Sequence, residues 1–284
     1  MCRWNSKAIA HESNHAMLIR SLKAAAFRLS RGHYSNHRWY GYYKQRELER
    51  ALQSHLNLEQ LPSGYGRWLD ERMVEYPWML SKLPQASGTL LDAGSTLNHR
   101  FMLRQPRLRN KKITILTLAP EAECFWNDGV SYVFGDLRHM YFRERSFDTV
   151  VCLSVLEHVG LDTHMYDSNN SKAEREPAAY LAAVAELRRV LKDGGKCLIT
   201  VPFGKQQLRN WIQVFDSAML ERLLSAFKPS KLNINYFLYG TDQQWKACSQ
   251  GAATAAPYFD LHADTPWPGC PAGAGAVACL ELQK

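Results

Sequence analysis

From Thr89 onward the chain alternates short apolar runs with longer amphipathic ones, and this alternation limits its fold more than any other feature. Thr89–Leu91, Ile113–Leu118, Ser131–Phe134, Phe147–Leu153 and Lys196–Val201 have strand length and are apolar almost throughout. Strands of that kind are covered on both faces, as in a parallel sheet. Pro177–Leu191 sets Tyr180, Leu181, Val184, Leu187, Val190 and Leu191 on one side of a helix that Asp193-Gly194-Gly195 ends, and Asp216–Phe227 is a second helix. Leu232–Leu238 and Ala276–Leu282 read as two final strands. The fold class is α/β.

Residues 1–88 have a different texture. Residues 16–31 predict an amphipathic helix, with Leu18, Leu22, Ala25 and Leu29 as its apolar stripe. An aromatic and basic run follows from His33 to Arg46, then helices over 45–60 and 68–83, the second interrupted by Pro77. Residues 1–50 hold ten Lys and Arg against three acids, so they carry +7 of the net charge of +8. Such an arm either docks on the main domain with its charges solvated or meets a membrane surface or an anionic ligand. The domain reading is therefore a basic helical extension over 1–88 and a main domain over 89–284.

Seven cysteines are scattered with no C-x-x-C pair, which argues against zinc sites and disulfide frameworks and fits a reducing, cytoplasmic setting. No apolar run reaches the length of a membrane span, and the first residues lack a signal-peptide core.

The chemistry-bearing segments stand at successive strand ends. The first strand runs into Asp92-Ala93-Gly94-Ser95-Thr96-Leu97-Asn98, where glycine permits a tight turn and close backbone approach to a ligand. The second ends at Thr117-Leu118, and Gly135-Asp136-Leu137 follows the third. The fourth begins Phe147-Asp148 and ends Leu153-Ser154-Val155-Leu156-Glu157-His158-Val159-Gly160. Leu191-Lys192-Asp193-Gly194-Gly195 then leads to a strand ending Thr200-Val201-Pro202. Singly, Asp92 is also a plain turn former and Asp136 a strand-end residue; their order gives the series its weight.

That series resembles the class I S-adenosylmethionine-dependent methyltransferases, especially small-molecule and glycan-pathway members, over about 89–202. Leu69-Asp70-Glu71-Arg72 and Glu75-Tyr76-Pro77-Trp78 also look like a bacterial subgroup of such enzymes. The resemblance implies a Rossmann-like seven-stranded sheet with an N-terminal helical extension. It implies S-adenosylmethionine as cofactor and S-adenosylhomocysteine as product, bound at Asp92, Ala93, Gly94, Ser95, Thr96, Asn98, Thr117, Leu118, Asp136, Leu137, Leu153 and Ser154. Asp136 would accept from the adenine amino group. The family's further first-loop glycines are replaced by Thr96 and Asn98, and its acid after the second strand is absent, Glu121 being the nearest carboxylate.

His158 is the first candidate for general base, since imidazole titrates near neutrality, with His164 and Asp162 next. Glu157 is a further catalytic candidate or a helix cap. Some quinone-pathway relatives hold a divalent metal through Glu-x-x-Glu-His; here the first Glu is Ser154, with Asp162 or His164 as substitutes, and no metal site is assigned. The implied reaction is methyl transfer to an oxygen, less readily a nitrogen, of a small molecule or sugar. If residues 1–88 form a lid, Tyr40, Tyr42, Tyr43 and Trp68 are its aromatic wall, and Arg38, Lys44 and Arg46 hold an anionic part of the acceptor. The rival readings are a nucleic-acid methyltransferase, disfavoured because no Asn/Asp-Pro-Pro-Tyr/Phe motif follows the fourth strand, and a non-catalytic binding module on the same fold.

Overall fold

The computed structural model describes residues 14–30, 32–33, 35–54, 56–162, 164, 174–259 and 273–284. Arg3, Lys7, Arg31 and Tyr34 of the basic extension lie outside them. Three helices come first: α1 (Asn14–Leu29), α2 (Tyr40–Gln53) and α3 (Arg72–Lys82). Then follow β1 (Gly88–Ala93), the short helices α4 (Arg100–Leu103) and α5 (Pro106–Arg109), β2 (Lys111–Thr117), β3 (Ser131–Phe134) and β4 (Phe147–Leu153). The second half holds α6 (Tyr180–Val190), β5 (Leu191–Pro202), a small hairpin of β6 (Gln207–Leu208) and β7 (Gln213–Val214), α7 (Ser217–Phe227) and β8 (Lys231–Tyr239). It closes with β9 (Trp245–Cys248), α8 (Gln250–Ala253) and β10 (Ala276–Gln283).

The main sheet runs β3-β2-β1-β4-β5-β10-β8-β9. The first five strands pair in parallel, whereas β10 is antiparallel to both β5 and β8. This is an α/β, Rossmann-like sheet, with one strand more than the seven expected. The addition is β9, which pairs antiparallel with the outer side of β8. Its sequence, Trp-Lys-Ala-Cys, is too short and too mixed to stand out as a strand.

Alternation along the strands builds two cores. Leu91, Val150, Cys152 and Ile199 face one way, onto Tyr180, Val184 and Leu187 of α6 and Leu223 of α7. Leu90, Val151, Leu153 and Leu198 face the other way, and there Met73, Val74, Trp78 and Met79 of α3 meet them. The N-terminal helices thus supply much of one covering layer of the sheet.

Two features of that layer depart from expectation. The second helix begins at Tyr40 and ends at Gln53, so the second half of the aromatic-basic run is helical. Helix α1 docks through Ala24 and Phe27, both fully buried, and leaves the Leu18, Leu22, Ala25, Leu29 stripe outward. Phe27 stacks on Tyr43 at 4.9 Å and meets Tyr40 and Trp68 edge-on, and one aromatic cluster outweighs a stripe of leucines as a docking surface.

Pro77 sits inside α3 without ending it. A proline has no N–H for the carbonyl four residues back, which is that of Met73. Tyr65 Oη donates to this carbonyl at 2.5 Å and restores the missing bond. Tyr65→Phe should therefore cost about 1–3 kcal/mol in urea unfolding, the penalty of an unsatisfied buried acceptor. In a Pro77→Ala background the new N–H serves Met73, and the same substitution should cost clearly less. Equal losses in both backgrounds would show that the Tyr65 bond does not replace the helical one.

Candidate active site

Helices and strands converge on the point where the sheet order reverses, between β1 and β4. A cavity of about 630 Å³ opens there, at the carboxyl ends of β1 to β4. Gly94 and Thr96 line it after β1, Thr117 and Leu118 after β2, Asp136 and Leu137 after β3, and Ser154 and His158 after β4. Those eight were all expected as site residues.

The turn after β1 is held from beneath. Asp92 is fully buried, accepts the Leu97 N–H at 2.8 Å and the Thr96 hydroxyl at 3.2 Å, and does not line the cavity. Burial pushes its carboxyl up to about 7, against the pull of those donors. Asn98 also works inward: its Nδ2 donates to the Glu123 carbonyl at 2.9 Å and its Oδ1 accepts from Tyr132 Oη at 2.7 Å. Ala93 and Leu153 are fully buried in the two cores. Gly94 has φ +120°, and a Cβ there would lie 2.3 Å from a Val155 methyl. Ser95 and Ser154 adopt φ of 64° and 48°, left-handed values that side chains accept only where the surroundings impose them. The Ser95 hydroxyl is buried without a hydrogen-bond partner.

The rim after β2 and β3 is charged. Thr117 Oγ1 donates to Glu121 Oε1 at 3.2 Å, so a carboxylate three residues beyond Leu118 returns to the end of β2. Asp136 is engaged by Arg138, whose guanidinium also grips Glu174 at 2.6 Å. Burial alone would raise the Asp136 carboxyl, but the Arg138 side-chain and backbone bonds hold it below the usual range.

On the β4 side, His158 stacks on Trp211 with centroids 5.2 Å apart and planes 10° apart. Its Nδ1 lies 2.8 Å from the Trp211 carbonyl, which can only accept, so Nδ1 carries the proton and Nε2 the lone pair. Glu157 Oε1 is 3.9 Å from that Nε2. Glu157 is buried behind the cavity wall, and burial raises its carboxyl well above the usual carboxylate range. Asp162 and His164 pair with each other on the outside. Among the described residues no group of three or more His, Cys, Asp or Glu is gathered to hold a metal ion.

The extension reaches the cavity through a residue the sequence did not single out as a ligand. Arg72, at the start of α3, lines the cavity, ion-pairs with Glu75 and approaches the Leu153 carbonyl at 3.4 Å. Glu75 is fully buried; its Oε1 accepts from Ser154 Oγ at 2.5 Å and Thr200 Oγ1 at 2.6 Å. The expected acceptor wall lies elsewhere. Tyr40 donates to Asp70 at 3.0 Å, Tyr42 accepts from Lys23 at 3.0 Å, and Tyr43 packs on Phe27. Lys44 pairs with Asp70, and Trp68 donates from Nε1 to Gln243 at 2.7 Å. None of these, nor Arg38 or Arg46, lines the cavity. A run of rings beside cations reads as a ligand wall, but here the rings pack among themselves.

Residues 111–199, from β2 into β5, match the family model of a methyltransferase domain. An uncharacterized protein of Methanocaldococcus jannaschii is 28% identical over 112 residues, 37% of this chain and 41% of its own length. The match thus spans about two fifths of that relative. Among solved structures, the Burkholderia thailandensis 1,6-didemethyltoxoflavin N1-methyltransferase, determined with 1,6-didemethyltoxoflavin and S-adenosylhomocysteine, is 14% identical with a TM-score of 0.45; the alignment covers 99% of this chain and 93% of that one. A Thermotoga maritima methyltransferase described as a possible histamine N-methyltransferase is 14% identical at 0.45, covering 74% and 88%.

The burial of His158 carries a prediction. Burial lowers its pKa from 6.5 to about 4, with the Trp211 carbonyl opposing and Arg72 assisting. The unfolded chain therefore takes up the proton first, and this residue's contribution to stability is complete above pH 6.5 and lost as pH falls toward 4. Nitrogen-15 shifts should show a neutral Nδ1–H imidazole at about pH 6. His158→Gln should flatten the decline in unfolding free energy across that window. A cationic His158 ring at that pH would contradict the assignment.

Proposed function

We propose that the chain is a class I S-adenosylmethionine-dependent methyltransferase that methylates an oxygen of a small molecule or sugar, with His158 as the proton acceptor, a reading supported by the match of residues 111–199 to a methyltransferase domain. One observation carries the reading: a single cavity collects the turns after β1, β2, β3 and β4.

The residues present suit the cofactor. Leu118 and Leu137 offer an apolar slot for a flat base, and Glu121 brings a carboxylate within reach of ribose hydroxyls. Gly94 lets the backbone approach, and the Ser95 hydroxyl has no internal partner to lose. Arg72 makes its hydrogen bonds through Nη1 and its backbone N–H, which leaves Nε and Nη2 as donors for a carboxylate at the cavity. When bound, S-adenosylmethionine supplies a methyl group already activated by a sulfonium. The protein's part is to align the acceptor and remove its proton. The Nδ1–H···O=C bond to Trp211 fixes the His158 ring with its lone pair on Nε2, the state a general base requires. A depressed pKa makes it a weak base that stays unprotonated in mildly acidic solution.

Calorimetry with S-adenosylhomocysteine should show binding by the parent protein. Glu121→Ala should weaken that binding about tenfold, as expected for a charged hydrogen bond, while Gly94→Val should abolish it. His158→Ala should keep affinity and lower turnover by about 10²–10⁴-fold on an accepted substrate. Absence of binding by the folded parent would overturn the cofactor assignment. Unchanged turnover in His158→Ala would move the base elsewhere.

A further inference from the structure

Helix α1 has two apolar faces and the fold uses one. Phe27 and Ala24 are buried against the aromatic cluster of α2 and Trp68. Leu18, Leu22, Ala25 and Leu29 fall within roughly 60° of one another on the opposite side, at 3.6 residues per turn. The three leucines are 58%, 61% and 86% exposed. Met17 and Ile19 are exposed on the flanks. Five of the eleven large apolar side chains exposed among the described residues therefore sit on this one helix, a concentrated patch of the kind that marks an interaction surface.

The segment that carries the patch is strongly cationic, with +7 over residues 1–50. Helix α1 itself has no acid; its Arg20 and Lys23 lie on the side toward α2, bonded to Gln45 and Tyr42, and Arg28 lies nearer the stripe. We propose that α1 seats the protein on an anionic lipid surface, its leucines entering the acyl boundary and the cations of residues 1–50 meeting headgroup phosphates. The helix has 16 residues, and no described helix is long and apolar enough to cross a membrane, so the contact is one of lying on the surface. Charge argues against the other two occupants of an apolar stripe. A second copy paired through α1 would bring two segments of +7 together. Residues 1–13 bring Arg3 and Lys7 against one acid, Glu12, and are themselves cationic. The inference is independent of methyl transfer.

Sedimentation of the full chain with vesicles tests it. The protein should bind phosphatidylcholine vesicles that contain phosphatidylglycerol, release them as salt rises, and bind pure phosphatidylcholine at least about tenfold less. Leu18→Glu with Leu22→Glu changes two exposed side chains, so melting temperature and S-adenosylhomocysteine binding serve as controls on folding. Vesicle binding by that variant should fall at least about tenfold. Parent-like binding by the variant would overturn the proposal. So would a parent that ignores anionic vesicles but sediments as a dimer that Leu22→Glu dissociates, since the stripe would then belong to a second copy. Binding that appears only after deletion of residues 1–13 would assign the stripe to that segment and equally overturn it.

Discussion

The Glu75 carboxylate ties the N-terminal helices to the carboxyl end of the sheet. It is fully buried, bonded to Ser154 just past β4 and Thr200 near the end of β5, and ion-paired with Arg72. Taking an unpaired carboxylate out of water is prohibitive, whereas one with a guanidinium and two hydroxyl donors is tolerated. Only one arrangement of α3 satisfies all three partners. That arrangement places Arg72 at the cavity and Ser154 in its left-handed conformation. It also sets the Tyr76 hydroxyl 2.8 Å from the Thr96 carbonyl, so α3 supports the β1 turn as well as the end of β4. Loss of the carboxylate would leave Arg72 buried without its partner and release two strand ends at once.

The departures in the first loop have a structural counterpart. Where the resemblance implies further glycines, this chain has Thr96 and Asn98, and both brace the loop: Thr96 donates to Asp92, and Asn98 spans Glu123 and Tyr132. Flexibility that glycine would supply is replaced by side-chain bonds that hold one backbone path. The cost is a left-handed Ser95. Similarly, β2 ends without an acid of its own, and Glu121 folds back onto Thr117 from the following loop.

The sheet was legible because buried parallel strands are written as largely apolar runs, and β4 has the limits read from the sequence, as does the more exposed edge strand β3. The strand-end residues were legible for a related reason, since a parallel sheet puts successive βα turns at one edge. Arg72 was not legible as a ligand. Nothing local separates it from other arginines beside acids; its place depends on Glu75 meeting Ser154 and Thr200, which are 79 and 125 residues away. The aromatic run from Tyr40 to Tyr43 misled for the converse reason. Its local pattern suited a ligand wall, but Phe27 lay nearby in space to pack against it.

The cavity and the extension also differ in how they handle charge. At the cavity each cation already has an acid partner, Arg138 with Asp136 and Glu174 and Arg72 through Nη1 with Glu75, and Glu121 adds a further acid. A site so balanced does not draw on the +7 of residues 1–50. In the extension Lys44 is taken by Asp70 and Arg50 by Glu47, and three acids cannot neutralise ten bases. An excess of like charge on a compact segment disfavours folding through self-repulsion and is relieved by an anionic neighbour. Because the cavity has no need of that charge, and the same segment turns three leucines outward, the extension has two separate tasks. Its α3 brings Arg72 to the cavity, and its α1, docked through Ala24 and Phe27, turns the leucine stripe outward on a positively charged segment, the two ingredients of surface adsorption.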